Sequence, residues 1–231
     1  MAGFLELIPA RAIAAIGLLI LTGCSSGGSS GLLQSLWQSG DDTEQVAEVT
    51  NPADTITRGR IDQMGVALIR VREMRTNEQN LLVAFRQSGE QITYVLRADR
   101  RLVMHGGLIQ STYGFGKNLQ PVSVRRSDPV AYPRPLKDWP DRINRSYQIA
   151  DRGLEPATRL VCSFTIGAAD NLEIVGRTVV VQPVRETCSG GGVSFINRHD
   201  VAPSTGFIWR SRQWTGDVQG SLIYEILEPL D

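Results

Sequence analysis

Short runs of branched and aromatic residues, separated by short turns, fill the chain from Val66 onward. "VALIRVREM" opens the series, and residues 80–114 add several more runs, with "QSGE", "ADRR" and "HGG" as turns. Runs of this kind are typical of β-strands, and strands joined by short turns pair antiparallel. The pattern therefore predicts a meander with strands near residues 66–74, 80–86, 91–97, 101–105 and 108–113.

The second half of the chain continues the β pattern after a proline-rich interruption. Residues 128–142 carry four prolines, which lack the N–H that a strand interior donates, so this segment is predicted to be a long loop. Beyond it, strands are expected near residues 145–151, 158–167, 171–182 and 192–197, followed by the final pair "GFIWRSRQW" and "GSLIYEILEP". The predicted fold is mainly β, a large curved antiparallel sheet that forms an open or closed barrel.

A short helix is predicted just before the first strand. Ile56, Ile61 and Met64 have a loose helical spacing within "DTITRGRIDQMG". Asp54 or Thr55 is the expected N-cap, and Gly65 the expected end of the helix.

The N-terminus carries an apolar run, Ala12 to Leu21, that is ten residues long. A membrane-spanning helix needs about 20 apolar residues, so this run is too short to cross a bilayer. Its length suits the hydrophobic region of a signal peptide.

The four residues "LTGC", 21–24, resemble the lipobox of bacterial lipoproteins, which implies that Cys24 is lipidated after residues 1–23 are removed. Ser25 follows where an inner-membrane retention signal has Asp, so the resemblance implies the outer membrane. Residues 24–53 are then a lipidated N-terminus and flexible tether, and residues 54–231 a single β-rich domain. The alternative is an ordinary signal peptide in which a cysteine happens to occupy this position.

Two cysteines remain once Cys24 is assigned to lipid. Cys162 and Cys188 are too far apart for a CxxC redox motif, and the short-spaced ligand pairs of a zinc site are missing. In an oxidising compartment the pair predicts a disulfide, which would stabilise the fold by roughly 3–4 kcal/mol. Two free buried thiols are the alternative.

Charge and motifs give little sign of chemistry. The 24 basic residues balance the 24 acidic ones, so no net charge attracts nucleic acid. The sequence holds no nucleophile elbow, HExxH helix or phosphate-binding loop, so no catalytic residue, metal or cofactor is predicted. His105 and His199 are interpreted as surface or turn residues.

The last hairpin contains the most distinctive side chains of the chain. Strand alternation places Ile208, Arg210, Arg212 and Trp214 on one face. Guanidinium groups form forked hydrogen bonds and indole offers a flat apolar surface, so Arg210, Arg212 and Trp214 are candidate ligand-binding residues. The alternative is a solvated strand face whose arginines stack on the tryptophan or pair with carboxylates.

The segments "GFIWRSRQWTGDVQGSLIYEIL" and "GGLIQSTYGFGKNL" resemble the YjbF family of lipoproteins, which includes the group 4 capsule lipoprotein GfcB. The resemblance implies a β-rich outer-membrane lipoprotein linked to exopolysaccharide production or export. It carries over no catalytic residue.

The sequence thus predicts a lipid-anchored protein on the periplasmic face of the outer membrane that assists exopolysaccharide or capsule assembly or secretion without catalysis. Expected partners are the membrane, through the anchor, and a polysaccharide or polysaccharide-export protein, but not nucleic acid. One alternative is a lipid or lipoprotein carrier with an apolar cavity. The other is a periplasmic enzyme that acts on glycans.

Overall fold

Two short helices precede an extensive β-structure in the computed structural model, which describes residues 51–97, 99–116, 118–148 and 157–230. The helices are α1, Pro52–Thr55, and α2, Arg58–Met64. Twelve strands are formed by these described residues: β1 Leu68–Glu73, β2 Gln79–Ser88, β3 Gln91–Arg97, β4 Arg100–His105, β5 Leu108–Tyr113, β6 Arg142–Tyr147, β7 Thr158–Ile166, β8 Asp170–Ile174, β9 Arg177–Gly190, β10 Val193–Val201, β11 Ile208–Gly216 and β12 Gly220–Glu228.

The strands form one antiparallel sheet in the order β5-β4-β3-β2-β1-β12-β11-β10-β9-β7-β6, with β8 paired to β9 beside this path. Strands β1 to β5 form one half of the sheet and β6 to β12 the other, and the two halves meet where β1 pairs with β12. Strands β5 and β6 are the two edges, so the sheet curves without closing. The predicted fold class is confirmed, and of its two variants the open one is observed.

A short extended segment lies between the two edge strands. The amide of Val122 donates to the carbonyl of Gln110 on β5 at 2.8 Å, and the amide of Ser123 donates to the carbonyl of Ser146 on β6 at 3.1 Å. These bonds occupy backbone groups that an uncovered sheet edge would expose for pairing with another chain.

The two faces of the sheet are covered differently. The inner, concave face is filled by a large apolar core that includes Ile69, Leu102 and Tyr224. Part of the outer face is covered by α2 and β8, whose residues Ile61 and Leu172 belong to a second, smaller core. The rest of the outer face is open, and the candidate site lies there.

The helix caps differ from those expected. Asn51 accepts a hydrogen bond from the amide of Ala53, and Thr57 accepts one from the amide of Arg60, so these residues cap α1 and α2 in place of Asp54 or Thr55. Gly65 ends α2 in the left-handed conformation, as predicted.

The prediction of one strand over residues 171–182 is wrong. The segment is a hairpin in which β8 ends at Ile174 and β9 begins at Arg177. Val175 and Gly176 form the turn with positive φ angles of 43° and 73°. A β-branched residue rarely adopts this conformation and is common in strands. Val175 therefore favoured the prediction of a continuous strand where the structure has a turn.

The disulfide joins two directly opposite residues of β7 and β9. Cys162 and Cys188 are register partners, their sulfurs are 2.03 Å apart, and both residues are fully buried in the inner core. The cross-link therefore connects two neighbouring strands in the second half of the sheet.

The predicted signal peptide, residues 1–23, the lipidation site Cys24 and the tether up to residue 50 lie outside the described residues. Within the described part of the chain, no helix has the length and apolar character needed to cross a membrane.

Candidate functional site

A polar groove of about 920 Å³ lies on the open part of the outer face. It crosses the strands of the sheet from β7 to β2. Its charged lining consists of six arginines and two carboxylates: Arg70, Arg72, Arg185, Arg198, Arg210, Arg212, Asp200 and Glu225. The groove is therefore rich in guanidinium groups and has an excess of positive charge.

Strand alternation places these arginines on the outer face. On β1, Ile69 and Val71 are fully buried in the inner core, so Arg70 and Arg72 point the other way. On β10, the buried residues Asn197 and His199 flank Arg198 in the same manner. Apolar or hydrogen-bonded inner positions thus fix the direction of each charged side chain.

One row of groove residues across the sheet is ion-paired, and we call it the paired row: Asp200, Arg210, Glu225 and Arg70, which are successive register partners from β10 to β1. Nε of Arg210 donates to Asp200 at 2.6 Å, and Nε of Arg70 donates to Glu225 at 2.8 Å. Nη1 of Arg210 also lies 3.8 Å from Glu225. The two carboxylates of the groove are both engaged with arginines.

The adjacent row, which we call the arginine row, consists of Arg185, Arg198, Arg212 and Arg72. Arg198 is the register partner of both Arg185 and Arg212. Ile223 lies between Arg212 and Arg72. Among the described residues, no carboxylate forms an ion pair with any of these four arginines.

The expected common face of Ile208, Arg210, Arg212 and Trp214 is not observed as a whole. Arg210 and Arg212 line the groove together, but Ile208 is buried in the inner core. A β-bulge explains this, because Asp200 pairs with Arg210 while the next residue of β10 already pairs with Ile208. The extra residue between them reverses the alternation.

Trp214 packs against the inner core and does not line the groove. Its ring stacks on Phe195 with centroids 4.4 Å apart and meets Tyr147 edge-on at 5.8 Å. Its amide donates to Oδ1 of Asn197, at a point where β11 no longer pairs with β10. The ligand role of Trp214 stays a prediction, and these contacts are those of a packing residue.

A second group of charged residues is buried on the inner face, and we call it the buried ion cluster: Asp128, Arg145, Glu186 and His199. Arg145 is 2 % exposed and donates through Nε and Nη2 to the two oxygens of Asp128, at 2.8 and 2.9 Å. Its Nη1 lies 2.8 Å from Oε1 of Glu186, although not at a hydrogen-bonding angle. Burial disfavours the charged guanidinium, but the two carboxylates outweigh it and hold the pKa of Arg145 well above its ordinary value.

Glu186 is fully buried and receives contacts from three side chains. Asn197 donates to its Oε2 at 2.6 Å, and Nε2 of His199 lies 3.3 Å from the same oxygen. Burial alone would raise the pKa of Glu186, but the charge of Arg145 and these hydrogen bonds lower it to about 2. Glu186 is therefore a buried carboxylate whose charge is compensated.

The interpretation of His199 as a surface or turn residue is wrong. Its Nδ1 lies 2.8 Å from Oγ of Ser211, which completes a Ser–His–Glu series with Glu186. The Ser211 hydroxyl also donates to the carbonyl of Arg198 and accepts a hydrogen bond from the side-chain Nε2 of Gln213. Ser211 and His199 border the groove but are each 1 % exposed. A nucleophile must reach its substrate, so this buried series fits a structural network. His105 ends β4 and packs edge-on against Tyr132.

One set of potential metal ligands lies beside this network. The sulfurs of Cys162 and Cys188 and a carboxylate oxygen of Glu186 are all within 4.8 Å of one another. Both sulfurs belong to the disulfide, so they are not the thiolates that bind zinc.

Sequence reasoning missed Arg72, Arg185 and Arg198 in the groove. Each alternates with inner residues, in "IRVRE", "PVRET" and "INRHD", and this alternation was the available signal. It predicts which way a side chain points but not which residues of other strands lie opposite. That information depends on the register, which the sequence pattern does not specify.

One solved structure has a similar fold, and one family matches the sequence. The crystal structure of the hypothetical lipoprotein YmcC from Escherichia coli (K12) is similar to this chain, with a TM-score of 0.66 and 19 % identity, over 82 % of this chain and 100 % of YmcC. No curated protein sequence matches this chain. Residues 34–227 match the family described as "Group 4 capsule polysaccharide lipoprotein gfcB, YjbF". The chain therefore belongs to the YjbF family of group 4 capsule polysaccharide lipoproteins.

Proposed function

We propose that this protein assists capsule or exopolysaccharide assembly or secretion by binding polysaccharide in its arginine-lined groove, without catalysing a reaction. In this proposal a lipid on Cys24 anchors it to the periplasmic face of the outer membrane. The family supplies the polysaccharide context. The observation that carries the binding role is the concentration of six arginines in one open groove.

The groove has the properties of a site for a polar polymer. It lies on the open part of the outer face and crosses several strands, so a chain can lie in it without threading through the protein. Arginine side chains form directed hydrogen bonds with hydroxyl and carboxylate oxygens. An acidic surface of an export protein is the other partner that this lining fits, and the experiment below separates the two.

The inner face gives less support to a lipid carrier. Its concavity is filled by core side chains. A pocket lined by Ile92, Met104 and Phe207 among others has about 190 Å³, which is smaller than the about 300–1,000 Å³ of typical small-molecule sites. A glycan-acting enzyme needs a pair of carboxyl groups free to act on the sugar, and Asp200 and Glu225 in the groove are both engaged with arginine.

Secretion by a deletion strain tests the proposal. We expect the deletion to lower secreted polysaccharide without lowering precursor synthesis, and the wild-type gene to restore secretion. A gene encoding Arg198→Gln with Arg212→Gln should fail to restore it, although the protein is present at the wild-type level. The matched control is Arg86→Gln with Arg142→Gln, which removes two exposed arginines outside the groove and should restore secretion fully.

Normal secretion in the deletion strain, or full restoration by the groove variant, would overturn the proposal. If the groove variant fails but its purified form binds polysaccharide as the wild type does, the groove serves an export protein instead. The anchor is tested separately. Cys24→Ala should move the protein from the membrane fraction to the soluble periplasmic fraction, and continued membrane attachment would contradict lipidation.

A further inference from the structure

The arginine row is regular because it follows the register of the sheet. Arg185, Arg198 and Arg212 lie on three adjacent strands as direct partners, and Arg72 lies two strands beyond Arg212. Neighbouring strands are about 4.8 Å apart, so these side chains start at intervals of about 5 Å and, across Ile223, about 10 Å. The row runs perpendicular to the strands and along the groove.

The row lacks the compensation that the neighbouring row has. In the paired row, each arginine is next to a carboxylate on an adjacent strand. In the arginine row, Arg198 faces an arginine on both sides, and among the described residues none of the four arginines has a carboxylate partner. Like charges directly opposite each other destabilise a sheet. Sequences break such local rules mostly at functional sites.

From this geometry, and resting on the proposed function, we infer that the ligand is an acidic polysaccharide whose carboxylates bind the arginine row, with the polymer lying across the strands. Successive guanidinium groups along one line match negative charges that recur along one chain. Each guanidinium can hold a carboxylate by two parallel hydrogen bonds. A neutral polymer would leave the repulsion within the row uncompensated.

The paired row limits where the polymer can lie in the groove. Asp200 and Glu225 lie one row away from Arg198, Arg212 and Ile223 on the same three strands, where they neutralise Arg210 and Arg70. The paired row therefore offers an anionic polymer no free positive charge, whereas the unpaired arginines attract it. The two rows together therefore set its position on the sheet, in addition to its affinity.

Binding by the full-length lipoprotein, purified in a non-ionic detergent, tests the inference. The probes are polygalacturonate, which carries a carboxylate on each sugar, and dextran, which is neutral. We expect the protein to bind polygalacturonate with an affinity that falls steeply with salt, and to bind dextran at least about tenfold more weakly. Arg198→Gln with Arg212→Gln should weaken polygalacturonate binding at least about tenfold.

Two further variants separate recognition from net charge. The control Arg86→Gln with Arg142→Gln removes the same charge outside the row and should change the affinity less than about twofold. Arg198→Lys with Arg212→Lys keeps the charge but loses the forked geometry, so its affinity should lie between those of the wild type and the glutamine variant.

The remaining outcomes overturn the inference in distinguishable ways. Equal binding of dextran and polygalacturonate, with both lost in the glutamine variant, removes the acidic class and leaves the proposed function standing. Equal weakening by the control variant means that only net charge acts. Absence of polygalacturonate binding, or row-dependent binding to phosphatidylglycerol vesicles in its place, also overturns it. The secretion experiment decides the proposed function independently of these results.

Discussion

Arginines on opposite faces of the same sheet differ in burial and in ion pairing. On the inner face, Arg145 is buried and held by Asp128 and Glu186. On the outer face, Arg198 and Arg212 are exposed and lie opposite each other. Neither forms an ion pair with another residue in the part of the chain that the structure describes. The residue type is the same, but the inner arginine is ion-paired with two carboxylates and, among the described residues, the two outer ones are ion-paired with none.

This difference separates a structural role from a binding role. Asp128 belongs to the proline-rich segment between β5 and β6, so its two hydrogen bonds with Arg145 attach that segment to the sheet. A buried charge that is fully paired is a fixed part of the core and has no capacity for a ligand. An exposed charge without a partner is the reverse, and its removal should affect binding more than folding.

The largest effect is expected from Arg145→Ala. Removing this guanidinium leaves the carboxylates of Asp128 and Glu186 buried without their main compensation, which should lower the free energy of unfolding by about 3–5 kcal/mol. Urea unfolding at pH 7 without reductant measures it. Arg142→Ala, on the exposed side of the same strand, is the control and should stay within about 0.5 kcal/mol of the wild type. Similar losses in both variants would contradict the distinction between the two faces.

Acid should unfold the protein through the same cluster. The pKa of Glu186 is about 2 in the folded protein against an ordinary 4.5, so the folded state favours the ionised form. The resulting stability, on the order of 3 kcal/mol, is fully present above about pH 5 and is lost as the pH falls from there towards 2. The urea concentration at the midpoint of unfolding should therefore decrease as the pH is lowered from 7 to 3.

Glu186→Gln identifies the group responsible for this loss. The variant cannot ionise at this position, so it should be less stable than the wild type at pH 7 and should lose less stability towards pH 3. Parallel curves for the wild type and the variant would mean that other carboxylates cause the acid sensitivity.

Much of the fold was predictable because it depends on local pattern. Short β-rich runs and their turns indicated most strands, and Gly65 marked the end of α2 correctly. The hairpin at Val175 was missed because valine favours strand and its left-handed conformation is imposed by the surrounding sheet. Local propensity fails where tertiary structure overrides it.

The candidate site was less predictable because it depends on register. Arg210 and Arg212 were identified from alternation along one strand, and a single bulge was enough to separate them from Ile208. Arg185 and Arg72 join the same row only through the pairing of five strands. The buried ion cluster depends in the same way on Asp128 and Glu186 meeting at Arg145 on the inner face of the sheet, which no spacing in the sequence encodes.

The smallest effect on stability, and the one that sharpens the comparison most, is expected from Arg198→Gln with Arg212→Gln. These substitutions remove like charges that face each other and face Arg185, so the free energy of unfolding should rise by a few tenths of a kcal/mol to about 1 kcal/mol. For a domain of this size the melting temperature should then rise by about 1–4 °C. In the control Arg86→Gln with Arg142→Gln, the replaced residues face Thr93 and Ser163, so no change is expected.

A variant that folds more stably yet binds polygalacturonate less well would show that the arginine row is retained for its ligand at the expense of the fold. A loss of stability comparable to that of Arg145→Ala would instead make the outer arginines structural and remove the difference between the two faces.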